Sequence, residues 1–382
     1  MRAFFVAFQP RAIAHEFQIV KKGFCLLILL FNLVALSCAF PSPGVPPKVS
    51  TSEVNTDADD CAILIHPTAP EKSVVIGTDK GKGGGLFVWN LAGEQLQFIS
   101  LEETNNVDLR QNVMIGGTRL DVAVVNLQRA KEVKVYQIDS SSGELLDITT
   151  AGGIHTPELE EPYGFCLYRR IPDGALFFIE SSKSGRSKSN LQQYLLSADG
   201  NGKVRGKHVR SFGNNSILDK VEGLVADDEL GYVYASDESK AVRKYYADPE
   251  MKNDDQITAF ATGDGFKGDR EGIGIYKCSD GAGYLIISSQ DNKSVKIYRR
   301  EGEKDNPHQH DLVTTVMTSG SNETDGLEVT SSAAGPTFPN GLLAKHNSKG
   351  KNFAFYAWEE IAEGKLTICK DGKKSSATNG RQ

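Results

Sequence analysis

An all-β chain, folded as a six-bladed β-propeller of four-stranded antiparallel sheets, is what three features of these 382 residues predict. Between residues 57 and 350 the dominant signals are apolar runs of four to six residues, rich in Val, Ile, Tyr and Phe, separated by Gly, Asp, Asn and Ser. No long amphipathic helical pattern stands out over that span. The pattern recurs every 40–60 residues or so, a spacing that suits propeller blades. Glycine, at 38 of 382 residues, exceeds its ordinary share of about 7%, as a fold with many tight turns requires.

Six units of similar plan follow one another. The first runs from "DDCAILIHP" (59–67) through "SVVIGTD" (73–79) to "GLFVWNL" (85–91), and the second from "LDVAVVN" (120–126) to "VKVYQI" (133–138). The third runs from "YGFCLY" (163–168) through "ALFFIES" (175–181) to "LQQYLL" (191–196). The fourth is "EGLVADDELGYVYASDESKAVRKYY" (222–246), and the fifth begins at "DREGIGIY" (269–276). The sixth runs from "DGLEV" (325–329) through "NGLLAKH" (340–346) to "NFAFYAW" (352–358). Each supplies three clear strands, with a fourth expected in the connecting segments. "PKVSTSEV" (47–54) is expected to pair with the last blade and close the ring, which protects the sheet edges. A short helix is expected after Trp358.

Residues 1–39 read as a secretory signal peptide. Lys21-Lys22 precede the apolar run "GFCLLILLFNLVALSCAF", and Ser37-Cys38-Ala39 is a small-x-small cleavage site. Residues 40–56 are then the closing segment, 57–368 the propeller, and 369–382 a tail expected to be disordered. The whole chain carries a formal charge of −6; without residues 1–39 it keeps 39 basic and 48 acidic residues, a charge of −9. An acidic secreted chain is a poor partner for nucleic acid. A monomer with no membrane attachment after cleavage is expected. Cys61, Cys166, Cys278 and Cys369 remain, without a CxxC pair, so a zinc site is not supported. They allow up to two disulfides among three connectivities.

The acidic residues point to function. Asp59 and Asp60 precede the first unit, Asp121 the second, Glu161 with Tyr163 the third, Glu222 the fourth, Asp269 and Glu271 the fifth and Asp325 the sixth. A single Glu-Gly is adequately explained as a turn with a solvated acid. Six in register are not, because the first strand of every blade lines the central channel and their carboxylates converge. Anions that close repel one another unless cations lie between them. Oxygen ligands without His or Cys suit calcium better than zinc or copper.

The chain resembles the β-propeller phytases, secreted calcium-dependent enzymes that remove phosphates from inositol hexakisphosphate. The matching stretches are residues 57–88, "NNVDLR" (105–110), "EPYGFCLY" (161–168), "VEGLVADDELGYVYASDE" (221–238), "DREGIGIY", "GYLIISSQD" (283–291), "ETDGLEV" (323–329) and "KNFAFYAWEEIA" (351–362). The RHGxRxP motif of the histidine-acid phytases is absent. The resemblance implies several calcium ions and a phytate substrate. It places active-site calcium ligands at Glu222, Glu238, Asp269 and Glu271, and structural ones around Asp59, Asp60, Asp325 and Asn352. It makes Tyr163 the phosphate-holding tyrosine, with Lys80, Lys82, Arg129 and Lys183 stabilising charge on the phosphoryl oxygens. Ser184 stands where the family carries a glutamate, Arg129 matches the family arginine only after a gap, and "DDCAIL" replaces "DDPAIW".

Two other functions fit a propeller of this kind: a calcium-dependent lactonase, and a catalytically silent domain that binds a partner or an inositol phosphate. A lactonase would want one buried metal with a His or carboxylate base, not lysines at the rim. His66 reads as structural, and "HQH" (308–310) as part of a solvated loop. "GKGGG" (81–85) lacks the order and the helix of a P-loop. Asn214, Asn292 and Asn322 head glycosylation sequons.

Overall fold

The computed structural model describes residues 44–369, apart from 185–189, 214, 215, 218, 279 and 280. The leader, the Asn214 sequon and residues 370–382 lie outside the described residues. Six antiparallel sheets follow one another as blades. Blade 1 holds β2 (Ala58–Leu64), β3 (Val74–Asp79), β4 (Gly85–Asn90) and β5 (Gln95–Ser100). Blade 2 holds β6 (Thr104–Ile115), β7 (Thr118–Leu127) and β8 (Glu132–Ile138), with an outer edge divided between β9 (Leu145–Asp147) and β10 (Ile154–His155). Blade 3 holds β11 (Pro162–Arg169), β12 (Leu176–Ser182), β13 (Leu191–Ala198) and β14 (Val204–Phe212). Blade 4 holds β15 (Val221–Asp227), β16 (Tyr232–Asp237), β17 (Ala241–Tyr246) and β18 (Thr258–Phe260). Blade 5 holds β19 (Ile273–Lys277), β20 (Gly283–Ser289), β21 (Ser294–Arg299) and β22 (Leu312–Met317).

Blade 6 joins the two ends of the chain. Its strands are β23 (Leu327–Thr330), β24 (Leu342–Asn347) and β25 (Asn352–Ala357), and its outer strand is β1 (Val49–Ser50). Val49 pairs with Phe355 and Ser50 with Ala354, so "PKVSTSEV" does close the ring. The five-residue helix α1 (Trp358–Ala362) follows directly. Trp358 stacks on Tyr276 with ring centroids 3.7 Å apart, and a disulfide joins Cys278 to Cys369. Cys61 and Cys166 are free and buried.

The apolar runs explain why the blades stay together. Each of six buried clusters draws its side chains from two neighbouring blades: Val75, Phe87 and Trp89 of blade 1 pack on Phe353 and Phe355 of blade 6, and Val124 of blade 2 on Phe178 of blade 3. A blade's faces are thus covered by its neighbours, and the middle strands are buried on both sides. That is why they read as unbroken apolar runs rather than as alternation. The edge strand β5 reaches solvent and alternates, with Leu96 and Phe98 exposed.

Two expectations are corrected. The inner strand of blade 2 is β6, not the run beginning at Leu120, so Asp121 lies in the second strand, at the end away from the acidic mouth. There Asp121 accepts from Asn112 N at 2.7 Å and Ser140 Oγ at 2.7 Å. The strand was hidden because "TNNVDLRQ" is polar: it faces a channel filled by hydrogen-bonded side chains. His310, expected in a solvated loop, is buried, with Nδ1 2.8 Å from the Arg299 carbonyl and Nε2 3.2 Å from Lys244 Nζ. His66 does serve the backbone, its Nδ1 accepting from the N–H groups of Thr68 and Ala69.

Candidate active site at the mouth of the propeller

The inner strands of blades 1 to 4 begin with the same irregularity. Register slips between Ala58 and Cys61, Thr104 and Val107, Pro162 and Phe165, and Val221 and Leu224. Each slip frees two residues from the ladder, as a β-bulge does. The first of each pair is Asp59, Asn105, Tyr163 or Glu222, and in blades 5 and 6 the same place before the strand belongs to Glu271 and Asp325. One polar side chain per blade is thereby delivered to one mouth of the channel.

The glycine after the acid has its own role. A Cβ on Gly223 would lie 1.8 Å from the Glu271 carbonyl oxygen, and one on Gly164 would lie 2.2 Å from that of Glu222. Only a bare backbone lets neighbouring inner strands come so close. A polar side chain of the second strand then locks each of blades 1 to 5 to the next. Thr78 donates to Asn105 O (2.6 Å), Asn126 to Tyr163 O (2.7 Å) and Ser288 to Thr324 O (3.3 Å), while Ser181 and Ser236 bond Val221 O and Arg270 O. The recurring Glu-Gly is therefore a joint: acid toward the mouth, glycine against the next blade.

A second repeat sets the charges. In five blades the residue after the second strand donates its N–H to the carbonyl two residues before the ring position: Lys80 to Asp57, Gln128 to Glu103, Lys183 to Glu161, Glu238 to Lys220 and Gln290 to Asp269. Blades 1 and 3 place a lysine after the second strand and an acid opposite; blade 4 reverses the two.

That reversal completes an acidic cluster. Oxygens of Glu222, Glu238 and Glu271, all buried, lie within 4.8 Å of one another. Burial pushes Glu238 up to about 8, and burial with the charges of Glu222, Asp325 and Glu238 pushes Glu271 up to about 11. Burial raises Glu222 and Asp59 as well. Glu222 Oε1, Asp59 Oδ2 and Glu238 Oε1 are buried without a hydrogen-bond donor, while Glu238 Oε2 lies 2.7 Å from Lys220 Nζ. Orphaned buried carboxylate oxygens are costly unless a cation serves them. Three oxygens, one from each glutamate, within 4.8 Å of one another and with no sulfur or imidazole among them, fit a hard divalent ion.

The other expected residues fall in three groups. Asp325 joins the cluster: Gln290 Nε2 bonds Glu271 and, at 3.3 Å, Asp325. Lys80 bridges Asp59 (2.6 Å) and Asp325 (2.9 Å), so it stands within the acids rather than free at the rim. Asp269 lies close enough to Glu238 to raise it. Tyr163 hydrogen-bonds Glu222, and Lys183 Nζ lies 5.0 Å from the Tyr163 ring centroid. Arg129 is exposed, paired with Glu103 at 2.6 Å, and Lys183 approaches Glu161 at 3.9 Å. Lys82 is exposed on the neighbouring turn. Asp60 and Asn352 stand apart. Asp60 accepts from Asn106 and Val107 of blade 2 inside the channel, while Asn352 bonds Thr51 O and Asn347 beside the closing strand.

Sequence reasoning missed Lys220, Gln290 and the asparagines. Lys220 Nζ lies 2.7 Å from Glu238 Oε2 and 5.7 Å from the Tyr163 ring centroid. Its signal was the ring register itself, two residues before Glu222. Asn126 donates to both Tyr163 O and Glu180 Oε1 (2.9 Å), fixing the tyrosine's backbone. A cavity of about 420 Å³ beside Lys80 is lined by Gln128, Arg129, Lys131 and Glu161.

A propeller whose mouth gathers carboxylates, lysines and one tyrosine offers ligands for cations and donors for an anionic group, and the class that the fold and family define is the propeller-type phosphoric monoester hydrolases. The chain belongs to the phytase family: the family's sequence profile, "Phytase", matches residues 35–373. It is 36% identical over 316 residues to the 3-phytase of Bacillus subtilis (strain 168), covering 80% of each chain. Among solved structures, a protein from Lactobacillus plantarum superposes with a TM-score of 0.49 and 14% identity, over 85% of this chain and 84% of that one. A luciferin-regenerating enzyme gives 0.45 and 13%, over 80% and 91%. These two likenesses are too distant to add anything. No helix among the described residues is long and apolar enough to cross a membrane.

Proposed function

We propose that this chain is a secreted, calcium-dependent phytase that releases phosphate from myo-inositol hexakisphosphate. The observation that carries the reading is the convergence of Glu222, Glu238 and Glu271, with Glu222 Oε1 and Glu238 Oε1 buried and donorless, beside Tyr163 and Lys183. Glu222, Glu238, Glu271 and Asp269 would hold the ions that meet substrate, and Asp59 and Asp325 would hold ions nearer the seam between blades 6 and 1. Calcium held there supplies positive charge to phosphate oxygens and a means of activating water.

The protein's own groups do the rest. Tyr163 orients one phosphate through its hydroxyl, and Lys183 offers an ammonium over the same ring. Arg129 leaves Glu103 at little cost, because that pair is exposed and exposed ion pairs are worth about 0–1 kcal/mol. Such cations stabilise the charge that develops on the equatorial oxygens as phosphorus is attacked. A lactonase reading fares worse, since three lysines, Lys80, Lys183 and Lys220, stand among the acids and the tyrosine at the mouth. Phosphate release from phytate, measured in calcium and in excess chelator, tests the proposal. Release should require calcium; equal release in chelator would overturn it.

A further inference from the structure

Five blades share the backbone bond that fixes the rim register, and in four of them the residue two before the ring position is acidic: Asp57, Glu103, Glu161 and Asp269. In blade 4 that residue is Lys220. The acid of that blade has moved across the bond to Glu238, where blades 1 and 3 carry Lys80 and Lys183. The exchange puts a carboxylate into the cluster and its counter-charge on the solvent side.

The contact between the two is made at one oxygen. Lys220 Nζ is 2.7 Å from Glu238 Oε2, while Oε1 is buried without a donor. Glu238 is fully buried, whereas the Lys220 side chain is 34% exposed. An ammonium held from the solvent side on a four-carbon stem can leave without disturbing the fold. An oxygen that ligates a metal cannot also carry that ammonium at the same lone pairs. Lys220 and Lys183 both stand against the Tyr163 ring, at 5.7 and 5.0 Å from its centroid.

We propose that Lys220 is a phosphate-positioning residue that holds Glu238 when no metal is bound. It rests on Glu238 until a divalent ion takes that carboxylate, and then joins Lys183 in holding the phosphate at Tyr163. The inference rests on the calcium reading above, and the experiment separates the two. Calcium binding to the whole secreted protein is measured by calorimetry without substrate, for wild type, Lys220→Met and Lys220→Arg. Lys220→Met should bind calcium several-fold tighter, having lost its competitor, and should melt lower than wild type only in chelator. Its KM for phytate should rise by more than its kcat falls, and Lys220→Arg should recover most of the KM. If wild type binds calcium and Lys220→Met binds it no more tightly, or if its KM is unchanged, the inference is overturned. If wild type binds none, the calcium reading fails and this inference falls with it.

Discussion

Lys80 and Asp325 come from the first and last blades and meet at 2.9 Å, across the seam where the ring closes. The same ammonium reaches Asp59, so one side chain neutralises carboxylates from both sides of the seam. Those charges drive the Lys80 ammonium far above its ordinary pKa despite burial, keeping it charged at any working pH. Lys80 is thus committed to two acids, one on each side of the seam.

Glu271 and Tyr163 should be separable by mutation. Glu271→Gln keeps the shape and removes a charge from the cluster. Calcium affinity and phosphate release should each fall by at least the roughly 10–100-fold that follows loss of a metal ligand's support. Tyr163→Phe removes a hydroxyl and no carboxylate, worth about 0.5–3 kcal/mol, and added calcium should not restore it. Calorimetry with steady-state kinetics checks both; an intact Glu271→Gln enzyme would place the active site elsewhere.

The carboxylates predict opposite pH dependences with and without metal. Glu238 titrates near 8 in the folded protein against 4.5 ordinarily, so its contribution to stability is complete below 4.5 and lost as pH rises through 8. In chelator the melting temperature of wild type should therefore fall relative to that of Glu238→Gln between pH 5 and pH 8. With calcium present protons compete for the same oxygens, so activity should be greatest at neutral to mildly alkaline pH and disappear in acid. An activity optimum near pH 3 in saturating calcium would contradict the site.

Lys345 offers a test away from catalysis. It is buried in blade 6, where it donates to Thr318 Oγ1 at 2.9 Å, and burial lowers it from 10.5 to about 7. A depressed lysine penalises the fold fully below pH 7, and the penalty shrinks toward 10.5 as the unfolded chain also loses its proton. Lys345→Met should raise the melting temperature at pH 7, and the gain should narrow by pH 10. The gap is a few kcal/mol at most, at about 1.4 kcal/mol per pKa unit.

The disulfide should matter more than its position at the chain end suggests. Cys278–Cys369 closes a span of 91 residues and pins the segment after α1 against Tyr276, whose hydroxyl accepts from Cys369 N at 3.1 Å. Reduction, or Cys369→Ser, should cost about 2–4 kcal/mol in denaturant titrations. Of the four propeller cysteines, two should react with a thiol reagent under non-reducing conditions, and only after unfolding. Two immediately reactive thiols would contradict the pairing.

The ring of carboxylates was legible where the inner strand is apolar. "VEGLV", "DREGIGI" and "DGLEV" announce themselves because the acid stands out against a hydrophobic run. In blade 2 the inner strand is itself polar, with Asn105, Asn106, Asp108 and Arg110 satisfying one another and their neighbours across the channel, so hydrophobicity pointed one strand too far along. Lys220 escaped for a different reason. Its meaning lies in a register that appears only when blades are superposed, and a lysine before a strand carries no local signal. The disulfide depended on where the segment after α1 folds back, which no spacing of four cysteines encodes.

Closure through β1 also sets a timetable. Val49 waits for Phe355, roughly 300 residues away, which ribosomes making about 5–20 residues per second deliver some 15–60 s later. Through that interval five blades can form on the lengthening chain while the first strand stays unpaired. Asp59 meets Asp325 and Lys80 finds its second partner only when the sixth blade exists. The mouth of the propeller is therefore among the last parts of the molecule to be assembled, and the acids that make it useful stay dispersed until synthesis is nearly complete.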